Sequence, residues 1–582
     1  MLHLELNAPG VATKEKRTLI NNPNTILQTR KRLNMAHTYN DVLRSVTKNI
    51  LDGYQTTGAP SPDIVEETVL AGIATAFKLE NAMRDKGEKW PIPQTLPPVV
   101  VAQIMARLYP IYTVCTSEMS SDKMYDLLAI YQTQGKHEGI YSTDEEDFRA
   151  LAYQYCYTLL DRSFKELLIY LRSMVPRIAP TRAKNLIAVN NGIFDYDTKQ
   201  LMPFDPKYVF LSKSKVDYNP NAINPVIAEP DGSQWDVESW MQDLSDDPEV
   251  VDLLWCIIGA IIRPNVRWNK SAWYYSERGN NGKGTLCELM RQICGEGTCT
   301  SIPLAEMGKD FALEPLIRSS AIIVDENDVG TFIDKAANLK AIVTGDVVHV
   351  NRKFKAAIPF RFHGFMVQCL NEMPRVKDKS DSFFRRQLFV PFTKTFTGHE
   401  KKYIKNDFLH RKDVLEYVLH RVLNMNYYEL PEPEACKTAL DEYKEYVNPV
   451  RAFLLEIMPQ VEWTLLPYAF LYDLYVAWYR KTNGSDKNVS GRRSFIREIQ
   501  QMLPELFPEW EPTGGDSGMR PGNRMNKPEP LIHEYNLIDW MNPVYVKSTS
   551  IEKQCRPLLS EKYKGIYMRI IPTVGNSGDP ES

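Results

Sequence analysis

Apolar positions along this chain recur first at helical spacing, then in short strand-like runs, then at helical spacing again. Residues 1–95 mix helical stretches with polar segments and end at Pro91-Ile-Pro-Gln-Thr-Leu-Pro-Pro98, which predicts a rigid connector. From about Val99 to Val175 the pattern is mainly helical, most clearly over Phe148–Leu171 with its recurring Leu, Tyr and Phe. Leu186–Val189 is then a short apolar run, followed by the hairpin signal Asn190-Asn-Gly192, and a further short segment ends at Tyr218-Asn-Pro220. Residues 233–263 return to helix, with Asp246-Asp-Pro248 as a start signal. Over 271–395 strand-like and helix-like pieces alternate, as in an α/β domain. Residues 433–507 are helical again, with a turn-rich basic break at Asn483–Arg493. The stretch from Glu511 begins rich in Gly, Pro and Asn and predicts a partly mobile tail.

A chain of 582 residues is too long for one ordinary core and fits about three or four domains. Its 43% hydrophobic and 25% charged residues are ordinary for a soluble globular protein. The formal net charge of −3 excludes a general polycation, so any binding of nucleic acid must rest on local basic patches. The opening MLHLELNAPG lacks a charged start followed by an apolar core, so no signal peptide is expected. The longest apolar stretch, Val250–Ile262, is interrupted by Asp252 and is too short to span a bilayer; it predicts a buried helix. The nine cysteines contain no Cys-x-x-Cys pair, and Cys294 and Cys299 have no adjacent His or Cys partner. No structural zinc, disulfide framework or membrane association is expected, which suits a cytoplasmic protein.

The strongest chemical signal is Ala272–Thr285, where a strand-like run leads through Gly279-Asn-Asn-Gly-Lys-Gly-Thr285 into a helix with Leu286, Leu289, Met290, Ile293 and Cys294 on one face. Glycines let the backbone curl so that successive N–H groups face phosphate oxygens, and the helix start adds its dipole. The candidate phosphate-binding residues are Gly279, Asn280, Asn281, Gly282, Lys283, Gly284 and Thr285, with Lys283 reaching the β- and γ-phosphates. Two positions depart from the usual Gly-x4-Gly-Lys-Ser/Thr pattern. Glu277 stands where glycine is usual, and Gly284 where a hydroxyl is usual. Either Thr285 or water then completes the shell of a magnesium ion.

Three further signals follow in order. Ala321–Glu326 is a buried-strand run ending in two carboxylates, of which Asp325 can hold magnesium and Glu326 can take a proton from an attacking water. Gly364–Asn371 is a second strand ending in an amide suited to orienting that water or sensing the γ-phosphate. Arg385 and Arg386 lead into a strand at Gln387–Phe392 and can stabilise charge on the transferring phosphoryl group. A lone glycine turn or acidic strand end is common; the ordered set on successive strands points to ATP hydrolysis.

The same motifs, with Thr344-Gly-Asp346 and Asn371-Glu-Met-Pro374 between them, resemble superfamily 3 AAA+ helicases, and more narrowly the phage- and poxvirus-type primase-helicases. Replicative helicases of Gram-positive phages and staphylococcal mobile genetic elements are the nearest in character. The resemblance covers roughly residues 130–510, including Asn191-Gly-Ile-Phe-Asp-Tyr196 upstream and about 441–508 downstream. It implies a multi-domain protein. Residues 1–130 form a mainly helical region, 131–264 a pre-motor region with a helical collar, 265–425 an α/β AAA+ motor, 426–510 a winged-helix-like domain and 511–582 a tail. It also implies a homo-hexameric ring using ATP and Mg2+, moving on single-stranded and forked DNA, with Arg385 or Arg386 entering a neighbour's site. A primase or polymerase of the same element is a further partner it suggests. Residues 1–130 show no metal-binding acidic cluster or zinc ligand set that would make a primase.

Between the acidic and amide strands lies Asp346-Val-Val-His-Val-Asn-Arg-Lys-Phe-Lys-Ala356, read as a hairpin with the polar tip Asn351–Lys355 and with both roots near the nucleotide. Lys353, with Arg352, Lys355 and His349, suits a sugar-phosphate backbone; a solvated tip is the bland reading, and a lone His is more often structural. A second patch, Arg480–Arg497, carries six basic residues against Asp486 and ends in a helix opened by Arg492 and Arg493. Three functions compete: a DNA helicase, an origin-binding initiator or loader that uses ATP as a switch, and an AAA+ machine acting on protein. The polar basic hairpin argues against the third, which wants an aromatic pore loop.

Overall fold

The computed structural model describes residues 37–116, 125–295, 297–353, 355–487, 489–514 and 518–569. Expectations for residues 1–36 and 570–582 lie outside the described residues. Two compact units divide the chain. One comprises residues up to Tyr218 with the short segment ending at Phe360, and the other everything else from Asn219 on.

In the first unit, helices α1 (Tyr39–Thr57), α2 (Pro62–Asn81) and α3 (Pro98–Leu108) open the described chain. Thr38 and Asp41 form a capping box that starts α1, and the proline-rich connector ends where Pro97 and Pro98 start α3. The helical expectation for 99–175 fails in its middle. Strands β1 (Ile111–Val114), β2 (Leu127–Tyr131), β3 (Tyr141–Ser142) and β4 (Arg177–Ile178) form a four-stranded sheet in the order β3-β2-β1-β4. Phe148–Leu171 is likewise two helices, Glu145–Tyr153 and α4 (Asp161–Met174), with a break between them. The hairpin at Asn190–Asn191 joins β5 (Leu186–Val189) to β6 (Gly192–Asp195), and β7 (Gln200–Met202) completes a small antiparallel sheet.

In the second unit, α5 (Pro248–Ile261) starts at the Asp247 cap and is buried along most of its length. A five-stranded sheet follows, made of β8 (Ser271–Tyr275), β9 (Cys299–Thr300), β10 (Ala321–Val324), β13 (Phe365–Leu370) and β14 (Gln387–Pro391). Its order is β9-β10-β13-β8-β14 and every pairing is parallel. Helix α6 (Lys283–Ile293) follows β8, and α7 (Ala336–Thr344) precedes the hairpin strand β11 (Val347–Arg352); the second hairpin strand, β12 (Lys355–Arg361), falls almost wholly in the short segment grouped with the first unit. Parallel strands buried on both faces read as continuous apolar runs, and β10, β13 and β14 do.

Beyond the sheet, α8 (Lys412–Leu423) and α9 (Glu434–Val447) continue the same body. Tyr443 of α9 packs on Phe389 with ring centroids 4.6 Å apart, and its hydroxyl donates to the Pro374 carbonyl at 2.8 Å. The packing boundary therefore falls near Asn448, not at 426. Helix α10 (Pro449–Ile457), β15 (Leu465–Pro467), α11 (Tyr468–Asn483), α12 (Arg492–Leu506), β16 (Trp510–Pro512) and β17 (Gly565–Met568) share one core. The three strands pair antiparallel in the order β15-β17-β16. The mobile tail expected from 511 is, over its described residues, part of this domain. β17 is its central strand, and Leu531, Ile532 and Met541 fill its core. The Gly, Pro and Asn that suggested mobility sit in the long connection between β16 and β17, which buries Leu531, Ile532 and Met541 while Ile538, Val544 and Leu558 stay exposed. Among the described residues, no helix is long and apolar enough to cross a membrane.

Candidate functional site

The carboxyl ends of β8, β13 and β10 lie side by side, because β13 pairs with both of the others in parallel. Ligands of open parallel sheets sit at this edge. From β8 the chain passes through the loop Ser276–Gly282 into α6. Asn280 (φ 55°) and Gly282 (φ 87°) both adopt the left-handed conformation, which bends the backbone into a cradle. The cradle is braced from outside. The Phe396 N–H donates to the Asn280 carbonyl at 2.7 Å, and the Asn280 amide donates to Glu400 at 3.0 Å. Inside it, the Asn281 amide caps the Arg278 carbonyl at 2.5 Å.

Lys283 is 5% exposed. Its ammonium donates to the Leu370 carbonyl and to Asn371 Oδ1, both at 2.9 Å, so the loop lysine and the amide ending β13 are in direct contact. Burial pushes its pKa below the ordinary lysine value; the Cys369 and Cys287 thiols and the Glu326 carboxylate oppose that shift. Glu326, just past β10, is exposed, whereas Asp325 is half-buried. Asp325 Oδ2 accepts from Arg291 of α6 at 2.8 Å, and Asp325 Oδ1 is buried without a hydrogen-bond partner. Thr285 is half-buried in the first turn of α6.

An ion of magnesium's preference takes carboxylate, hydroxyl and phosphate oxygens, and it is usually held by one or two protein groups plus substrate. The unpartnered Asp325 oxygen and the Thr285 hydroxyl fit that donor set. Among the described residues, no group of three or more His, Cys, Asp or Glu side chains could hold a metal unaided.

Several residues at this edge escaped the sequence reading. Arg291 fixes Asp325. Asn327, 4% exposed, accepts from the Leu304 N–H and donates to Gln368 Oε1 and the Cys369 carbonyl, which ties the loop after β10 to β13. Glu372 accepts from the Gly330 N–H at 2.9 Å. Gln368 offered a signal, being a lone amide inside the apolar run Phe365–Leu370.

The arginines do not join this cluster. β14 runs parallel to β8 with Gln387 opposite Ser271, and the Ser271 N–H donates to the Arg386 carbonyl at 2.8 Å. Arg385 and Arg386 therefore sit at the amino edge of the sheet, while the glycine-rich loop leaves the carboxyl end of β8. The four steps from Ser271 to Tyr275 span about 13 Å of extended chain. Three of the four sequence signals thus lie at one edge of the sheet and the arginines, which lead into β14, at the other. Arg386 is half-buried and donates to the Ser382 carbonyl; Arg385 is exposed.

The hairpin is also placed differently. Its strands reach Arg352 and Lys355, so the tip is tighter than Asn351–Lys355. Its second strand runs through residues 362–364 into the amino end of β13, so its root lies at the edge of the sheet opposite the glycine-rich loop. Val348 and Val350 are buried, whereas His349 and Asn351 face outward. Lys353 is exposed and its backbone N–H donates to Glu314 at 3.4 Å. The Lys355 side chain lies outside the described residues. Arg492 and Arg493 are exposed at the start of α12, which packs on α11 through Phe495 stacked 4.7 Å from Tyr475. In the patch preceding them, Asp486 is taken up by Arg480 at 2.8 Å.

Three family models match parts of the chain: "D5 N terminal like" over residues 119–246, "Family of unknown function (DUF5906)" over 274–386 and "Poxvirus D5 protein-like" over 446–542. D5-like regions thus flank the segment bearing the glycine-rich loop, and they support a relationship to the phage and poxvirus D5-like primase-helicases. Similar solved structures include "The A form apo structure of NrS-1 C terminal region-CTR", 14% identical over 70% of this chain and 86% of that one, with a TM-score of 0.37. A second structure, "The A form apo structure of NrS-1 C terminal region-CTR(305-718)", is 13% identical over 81% of this chain and 100% of that one, with a TM-score of 0.39.

Proposed function

We propose that this protein is an ATP-hydrolysing AAA+ motor of superfamily 3, working as a homo-hexameric DNA helicase in the replication of a phage or mobile genetic element. The observation that carries the reading is the contact of Lys283 with Asn371, beside the Asp325–Glu326 strand end, at the carboxyl edge of a parallel sheet whose opposite edge presents Arg385. The strand order supports the AAA+ assignment, and the D5-like regions support a role in DNA replication.

In this reading the buried Lys283 ammonium exchanges its neutral carbonyl and amide partners for β- and γ-phosphate oxygens. Magnesium bound with ATP would be held by Asp325 and Thr285 and would neutralise phosphate charge. Glu326 takes the proton of the attacking water, and Asn371, relieved of Lys283, orients that water. Arg385, on the far edge, serves the site of the next subunit. The hairpin root lies on that same edge, so a subunit sensing its neighbour's phosphate can move its own Lys353. Exposed Lys353 and His349, with half-buried Arg352 and with Lys355 at the start of the second hairpin strand, would grip single-stranded DNA through its phosphates.

Strand displacement tests this reading. The purified protein should unwind forked DNA only with a hydrolysable nucleotide and without an origin sequence. A protein that binds fork DNA but never separates its strands would contradict it. The second reading, an origin-binding initiator or loader, is favoured by the domain built on α10–α12, which resembles a winged helix in its helix and strand order. Arg492 and Arg493 open its exposed helix. Sequence-specific footprints without unwinding would select that reading.

A further inference from the structure

The residue after the loop lysine is Gly284, where a hydroxyl side chain would ordinarily reach a metal ion. A Cβ built on Gly284 would lie 3.7 Å from the Nζ of Lys405. Lys405 belongs to the short helix Lys402–Asn406, 14 residues after β14 ends, counting from Pro391 to Lys405. It is half-buried, and among the described residues it makes no hydrogen bond or ion pair.

The carboxylates of this neighbourhood are engaged elsewhere. Glu288 faces Arg291 and His410, Asp407 pairs with Arg411 at 2.9 Å, and Glu400 accepts from Asn280. The first turn of α6 contains no acid. The dipole of α6 puts about half a positive charge at the same place, where the Lys283 N–H is taken by Asn281 Oδ1 at 3.3 Å. Lys283, Lys405 and the helix start therefore bring positive charge together, with the exposed Glu326 the acid whose field reaches Lys283. Such a cluster fits an anion of two or more charges, such as a diphosphate.

The segment bearing Lys405 is also held in place. Lys401 pairs at 2.5 Å with Glu229, which is 5% exposed and also accepts from Tyr403 at 3.2 Å. Five residues earlier, Phe396 bonds the loop itself at Asn280. Lys405 is thus positioned by the same strap that braces the cradle, with its ammonium in ordinary contact range of the side-chain position at residue 284.

We propose that Lys405 is a second phosphate-binding cation of this site. It would occupy the position where a hydroxyl at residue 284 would otherwise bring a metal ion, and nucleotide diphosphate binding would then depend little on magnesium. This rests on the nucleotide-site reading above.

The test is a titration of the full chain with a fluorescent ADP analogue, in excess EDTA and again in excess magnesium. Wild type, Lys405→Ala, Lys405→Arg and Lys283→Ala are compared, with thermal melting to confirm folding. Wild type should bind within about threefold of the same affinity in both buffers. Lys405→Ala should lose about tenfold or more in EDTA, the size of a charge-assisted contact, and should regain part of it with magnesium. Lys405→Arg should stay near wild type. Wild-type binding that collapses in EDTA, or Lys405→Ala binding like wild type in both buffers, would overturn the proposal while Lys283→Ala still marks a nucleotide site. No binding by wild type in either buffer would overturn the nucleotide site itself.

Discussion

The two edges of the parallel sheet differ in how their charged groups are held. At the carboxyl edge, Lys283 is buried against Asn371 and a backbone carbonyl, Asp325 is fixed by Arg291, and Asn327 ties the acidic loop to β13. At the amino edge, Arg385 is exposed, and the hairpin that enters β13 carries outward-facing His349 and Asn351. A preorganised cluster of this kind can bind a ligand alone. An exposed arginine some 13 Å away along the strand direction can contribute only to something brought to it. In the proposed ring, one edge reads ATP and the other responds to a neighbour's ATP.

Substitutions should separate the edges. The largest effect is expected from Lys283→Ala, which removes the main cation of the cradle. Nucleotide affinity and turnover should both fall below detection, as a filter-binding assay alongside phosphate release would show. Arg385→Ala should lower turnover by about a thousandfold while leaving nucleotide affinity within a few-fold, the pattern of a group that acts on the transition state from outside the binding site. Mixing it with Lys283→Ala protein should restore part of the activity, because wild-type half-sites meet at some interfaces. If no mixing ratio restores activity in rings shown to be mixed, the assignment of the amino edge to a neighbour's site is wrong.

Glu326→Gln keeps the shape of the site but not the base. It should cut turnover by about a hundredfold or more and retain ATP; wild-type turnover would dismiss Glu326 as the base. The smallest effect on hydrolysis is expected from the hairpin. Lys353→Ala combined with Lys355→Ala should leave basal turnover intact and abolish unwinding. The slope of log DNA affinity against log salt should become shallower by about 0.7 for each DNA phosphate that is no longer neutralised. Normal unwinding would move the DNA grip elsewhere, beginning with Arg492 and Arg493.

The carboxyl-edge residues were legible because strand, glycine turn and helix are neighbours in sequence, and because each motif ends an apolar run. Arg291, Asn327 and Lys405 were not, since each acts on a partner at least 34 residues away or across a turn no local pattern defines. The edge on which the arginines fall depends on strand direction. That direction follows from the parallel order of β8 and β14, a long-range pairing that periodicity does not contain. The same limit hid β1–β4, whose short runs are embedded among helices and acquire their meaning only on pairing. In the C-terminal domain, Gly- and Pro-rich composition outweighed Leu531, Ile532 and Ile566, which are spaced too irregularly to register as a core.

Steady-state ATP hydrolysis by the purified full chain, measured with and without single-stranded DNA beside the Lys283→Ala variant, tests the motor reading most directly. The account predicts turnover that rises on adding single-stranded DNA and is absent from Lys283→Ala. No turnover in either condition, or turnover that survives Lys283→Ala, would contradict it.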